Sequence, residues 1–119
     1  MIRVRRVQED PSPDDGLRVL VDRLWPRGMT KERAAVDVWL KEVAPSTELR
    51  KLFHHEHIAF SAFADEYANE LDANPALDEL RGLVAEHDVV TLLFAARDEA
   101  HNHALLLKDR LQRSSGERD

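Results

Sequence analysis

The segment VDRLWPRG, residues 21–28, sets Asp22, Arg23 and Arg27 around Trp25 and Pro26 at the end of an apolar run. A plain turn needs Gly, Asn, Asp or Pro; it has no use for Arg and an indole together. An arginine fork beside a carboxylate can clamp a planar anion through charge-assisted hydrogen bonds. The carboxylate can also orient an acid–base partner, and the indole can form a stacking wall. The same residues would equally serve as a structural Asp–Arg pair tying a strand end to a helix, with Trp25 in the core. From the residues alone both readings stand.

Two further stretches carry chemistry. In APSTELRKLFHH (44–55), Ser46, Arg50 and His54 are spaced by four, so they share one helical face. Ser46 could bind phosphate or act as a nucleophile at a helix start, or it could be an ordinary N-cap. In AARDEAHNHALLL (95–107), Asn102 and His103 fall in the first turns of a helix, where the dipole favours an anion. His103 titrates near neutrality and could act as general acid–base with Asp22 as its orienter; otherwise it is a helix-start histidine bonded to the chain. His54 and His57 make only two ligands, and His101 and His103 point to opposite sides of a helix, so no metal is expected. GxGxxG, Walker A, GxSxG and HExxH are all missing, and four glycines leave little for a phosphate-cradling loop.

Composition narrows the partners. A chain of 119 residues suits one domain, and 43% hydrophobic residues supply a core. The absence of cysteine excludes disulfides and thiolate chemistry. No apolar run reaches the ~20 residues of a membrane span, and MIRVRRVQED has no apolar signal core, so a cytoplasmic protein without membrane partner or cofactor is expected. A net charge of −6 argues against nucleic acid. The charge is uneven: residues 1–33 carry eight basic and six acidic side chains, and 13 of the 17 basic residues are Arg. A local anion site is therefore compatible with an acidic chain.

These residues need elements to place them. Alternation and apolar runs predict strands over 2–7, 17–24 and 89–96, the last long and apolar enough to be covered on both faces. QEDPSPDDG (8–16) reads as a loop. Helical spacing predicts helices over 31–42, from Ser46, from Asn74-Pro75 to about His87, and from Asp98 or Glu99. Phe60, Phe63, Tyr67 and Leu71 form one apolar helical stripe. The expected fold is α/β: a small, about three-stranded, at least partly parallel sheet flanked by about five helices in Rossmann-like layers. Residues 1–119 would form one domain with a flexible tail over 113–119. The direction of the 2–7 strand stays open. If strands 17–24 and 89–96 are parallel, their carboxyl ends open on one side, where ligands bind in such sheets. Asp22 and Arg23 would then form one lip, Arg97 and Asp98 the other.

RVLVDRLWPRG, KEVAPSTELRKLFHH, VVTLLFAARD and NHALLL, in this order and spacing, resemble the DUF488 family, in particular its short, YeaO-like bacterial members. The resemblance spans about residues 2–112. It marks Asp22, Arg23, Trp25, Pro26, Arg27, Gly28, Pro45, Ser46, Arg50, Asn102 and His103 as signature positions, none of them a catalytic assignment. Longer relatives carry Cys-His-Arg after the late strand; Asn102-His103-Ala104 stands there here, so a thiol-based role does not carry over. A polar signature at strand and helix ends is easier to explain by a site than by a core. The leading reading is thus a polar crevice for a small anionic ligand: a nucleotide, nucleoside or phosphorylated metabolite. Arg23, Arg27, Arg50, Ser46 and Asn102 would bind, Trp25 would stack, and His103 and Asp22 are the catalytic candidates, with catalysis itself left open. The alternative is a non-catalytic protein-interaction module with an exposed Trp25 or Trp39 as its hot spot. A monomer or weak homodimer is expected in either case.

Overall fold

The structure, a computed structural model, describes residues 1–116. Ile2–Arg6 (β1), Leu17–Leu20 (β2), Val38–Trp39 (β3) and Val90–Phe94 (β4) form one sheet in the order β1-β4-β2-β3. Every pairing is parallel, which settles the direction of β1. β4 reads Val-Thr-Leu-Leu-Phe and all five residues are buried, as an interior strand covered on both faces requires.

The fourth strand comes from a segment whose spacing predicts helix over 31–42. Only Lys31–Ala34 (α1) is helical. Ala35 then turns left-handed at φ 49°, and the Asp37 carboxylate accepts from the Arg18 backbone N–H at 2.9 Å. This pins the chain beside β2, and Val38 and Trp39 pair with Val19 and Leu20. Free backbone groups at a sheet edge outweigh the weak preference of a short helix.

The longer helices are Thr47–His55 (α2), Phe60–Asp72 (α3), Pro75–Glu86 (α4) and His103–Gly116 (α5). All four bury apolar residues in one cluster against Ile2, Val19, Val90 and Leu92. Phe63, Tyr67 and Leu71 are buried and Phe60 packs beside them, so the predicted stripe of α3 faces this core. α5 starts at His103, later than the expected Asp98 or Glu99. Asp98 Oδ1 accepts from the N–H groups of Ala100 and His101 and closes its own turn, and Asn102 caps α5 by accepting from Leu105 N–H at 3.0 Å. α5 includes residues 113–116 of the expected tail, and the tail's remainder, 117–119, lies outside the described residues. No helix among the described residues is long and apolar enough to cross a membrane.

The other face of the sheet is covered differently. Val7, Leu20, Ala34 and Leu93 form a small buried cluster there, with Trp25 and Met29 packed on it. Next to it the register lines up Arg3, Thr91 and Arg18 in one row across the sheet. Asp15, in the short helical turn Pro13–Asp15, sits over that row. Its carboxylate takes Arg5 at 2.9 Å and Arg18 at 2.5 Å, and Thr91 donates to its carbonyl at 2.7 Å. The segment that reads as a plain acidic loop is therefore a buried cross-link between β1, β2 and β4.

Candidate functional site

The parallel pairing of β2 and β4 puts both carboxyl ends on one side of the sheet. The chain leaves β2 toward β3 and leaves β4 toward α5, which packs against β1. Neighbouring strands whose exits diverge leave a gap, the usual ligand position in open α/β sheets. A crevice of about 370 Å³ lies there. Asp22, Arg23, Trp25 and Arg27 line it from the β2 side, Arg50, Phe53 and Phe63 from α2 and α3, and Asn102 and His103 from the start of α5.

Asp22 and His103 meet although eighty-one positions apart, at 3.3 Å between Oδ1 and Nε2. Asp22 Oδ2 accepts from Ala95 N–H at 2.9 Å. His103 Nε2 lies 2.9 Å from the Val21 carbonyl. A carbonyl only accepts, so Nε2 carries the proton and Nδ1 keeps the lone pair. Burial pushes His103 below its usual pKa, outweighing the Asp22 charge and the Val21 carbonyl. Burial likewise raises Asp22, against the pull of His103, Ala95 N–H and Arg50. Both shifts have one cause: burial disfavours the charged form of the imidazole and of the carboxyl alike.

The three arginines differ. Arg23 donates from Nη2 to Ala44 O at 3.2 Å and from Nε to Pro45 O at 3.3 Å, bracing the loop before α2. Arg27 and Arg50 are exposed along the crevice, and neither makes a hydrogen bond or ion pair among the described residues. Trp25 is half-buried and forms a wall: its indole donates to Met29 O at 2.8 Å and its ring meets Trp39 edge-on at 5.6 Å. Trp39 donates in turn to the Asp22 carbonyl at 2.8 Å. Two indoles thus fix the β2 exit.

Asn102 lines the crevice, with its side chain spent on the Asp98 carbonyl and on capping α5. Ser46 does not line it. Its Oγ donates to Glu70 Oε2 at 2.5 Å and its N–H to Oε1 at 2.9 Å, while Oγ accepts from Leu49 N–H. The anion at the start of α2 is supplied by α3 itself. Arg97 and Asp98 are exposed and lie outside the crevice wall. Phe53 and Phe63 are additional walls. Phe53 follows Arg50 by three, a spacing that could have placed it on the same face; Phe63 reads only as core.

A family model described as the inactive DUF488-N3 subclade matches residues 1–119. The uncharacterized protein Rv3073c of Mycobacterium tuberculosis is 50% identical over 106 residues, 89% of each chain. The uncharacterized protein Mb3100c of Mycobacterium bovis matches to the same extent, 50% over 106 residues. The uncharacterized protein YeaO of Escherichia coli is 42% identical over 111 residues, 93% of this chain and 96% of that one. No solved structure matches the chain. With a family match over its whole length and relatives covering nearly all of it, the chain belongs to the DUF488 family, within the subclade described as inactive DUF488-N3.

Proposed function

We propose that the protein binds a small anionic ligand, of the class of a phosphorylated metabolite, in the crevice between the ends of β2 and β4 and does not turn it over. The observation that carries this reading is the pair Arg27 and Arg50. Both line the crevice of a chain with net charge −6, and both lack a hydrogen-bond or ion-pair partner among the described residues. A cavity of about 370 Å³ falls in the range of small-molecule sites. Arginine forks match the planar and tetrahedral oxygens of carboxylate and phosphate. Binding without turnover is supported by the description of the subclade as inactive. It also agrees with a His103 whose Nε2 proton is committed to Val21.

The rival reading, an interaction module, would use the exposed Leu24 and Trp39. It is weaker, because the Trp39 indole N–H and ring are already engaged by Asp22 and Trp25. The test is calorimetric titration of the full chain with ribose 5-phosphate at low salt, where screening is least. Saturable one-to-one binding is expected. Arg27→Ala and Arg50→Ala should each weaken it at least about tenfold, roughly 1.4 kcal/mol, with an unchanged unfolding midpoint. Absence of saturable binding, or binding indifferent to both substitutions, overturns the reading.

A further inference from the structure

Resting on that anion-binding reading, we infer that the ligand is a nucleoside monophosphate whose base carries an exocyclic amino group, with its phosphate at Arg27 and Arg50 and its amino edge toward Asp22 and His103. Three features of the crevice point to this. The first is its walls. Trp25 lines it from the β2 exit, and Phe53 and Phe63, with ring centroids 4.7 Å apart, line it from α2 and α3. Aromatic faces arriving from separate elements suit a flat ring, which every base presents.

The second is the separation of charge. The Asp22 carboxylate lies half-buried at the strand ends, whereas Arg27 and Arg50 are exposed. A phosphate would be repelled by Asp22 and held by the arginines, so an anionic ligand enters with its neutral end toward Asp22. The third is hydrogen-bond polarity. Three donors beside Asp22 are already engaged: His103 Nε2–H by the Val21 carbonyl, Ala95 N–H by Asp22, and one of the two Asn102 amide N–H groups by the Asp98 carbonyl. The acceptors remain. His103 Nδ1 makes no hydrogen bond among the described residues. Among the described residues the fully buried side-chain polar atom without a partner is Gln8 Oε1, so Nδ1 keeps access to the crevice that its ring lines. Asp22 retains further lone pairs. The acceptors of Asp22 and His103 favour an amino group over a keto oxygen at that end, because facing acceptors leave each other unpaired.

The test is calorimetry on the full chain with AMP, IMP and ribose 5-phosphate under one buffer. AMP is expected to bind at least tenfold more tightly than either of the others. Trp25→Ala should weaken AMP at least fivefold and leave ribose 5-phosphate unchanged, while Trp25→Phe keeps AMP within threefold of the parent. If the alanine variant does not fold, the three-ligand comparison on the parent chain decides alone. Equal affinity for AMP and ribose 5-phosphate overturns recognition of the base while the anion site stands. Equal affinity for AMP and IMP overturns the acceptor polarity while the anion site stands. Failure of all three ligands to bind overturns the anion site itself.

Discussion

Arg23 and Arg27 sit four positions apart and do different things. The guanidinium of Arg23 is spent on the carbonyls of Ala44 and Pro45, and that of Arg27 on nothing among the described residues. Arg23→Ala should therefore cost roughly 1–2 kcal/mol in urea unfolding, the usual loss when partly buried carbonyls lose a charged donor. Arg27→Ala should cost less than ~0.5 kcal/mol, as surface changes do, and still weaken phosphate binding at least about tenfold. Ser46→Ala should cost about 1 kcal/mol through its cap and leave binding intact, since Glu70 and not a ligand occupies that helix start. The types and spacing of Asp22, Trp25, Arg50 and His103 made them candidates in the sequence. Which arginine is free was illegible there, because the carbonyls that capture Arg23 come from a loop about twenty residues away.

At the level of elements, the α3 stripe is the clearest case of a pattern that carries its own answer. Phe63 is buried, stacks with Phe60 and Tyr67 and meets Phe53 at a tilt. Phe63→Ala should destabilise by about 3–5 kcal/mol, a large apolar group removed from a packed core; a loss below ~1 kcal/mol in denaturant would mean the face is not packed. Gly16 is a second element-scale constraint. It enters β2 at φ +62°, and a Cβ there would meet the Val89 carbonyl oxygen at 2.1 Å. Gly16→Ala should thus lower stability by at least ~3 kcal/mol, measured by thermal unfolding, from backbone strain plus displacement of β4. The misread element is 31–42: its apolar spacing fits a helix, but two of its residues complete a sheet edge that no local pattern announces.

Acid stability belongs to the whole molecule. Burial pushes the Asp15 carboxyl up, but the Ser12 N–H, Arg5 and Arg18 outweigh it and hold it below the usual carboxylate range. A depressed carboxylate stabilises the fold above its unfolded pKa of ~3.9, and that contribution is lost as pH falls through the lower folded value. His103 acts earlier. Its folded pKa is depressed, so the unfolded chain takes the proton first as pH falls below ~6.5, and stability drops until the folded value is reached. Asp22, raised by burial, works the other way just above ~3.9. Urea unfolding as a function of pH should show both losses in the parent; His103→Gln should lack the first. Asp15→Asn should lack the second and be weaker by roughly 3–5 kcal/mol at pH 7, because it strands the buried Arg18. The sequence by itself determined the apolar strands, the α3 stripe, the N-caps at Ser46 and Asn74, and the candidate residues near the strand ends, because period, capping chemistry and apolar run length are local quantities. Only the tertiary structure decided that β1 lies beside β4, that β3 exists, that Asp15 is a buried anion among arginines, and that Glu70 fills the start of α2 while Arg27 and Arg50 make no hydrogen bond or ion pair among the described residues. Each of these depends on which distant backbone and charge is brought within a few ångströms, and sequence spacing carries no record of that distance.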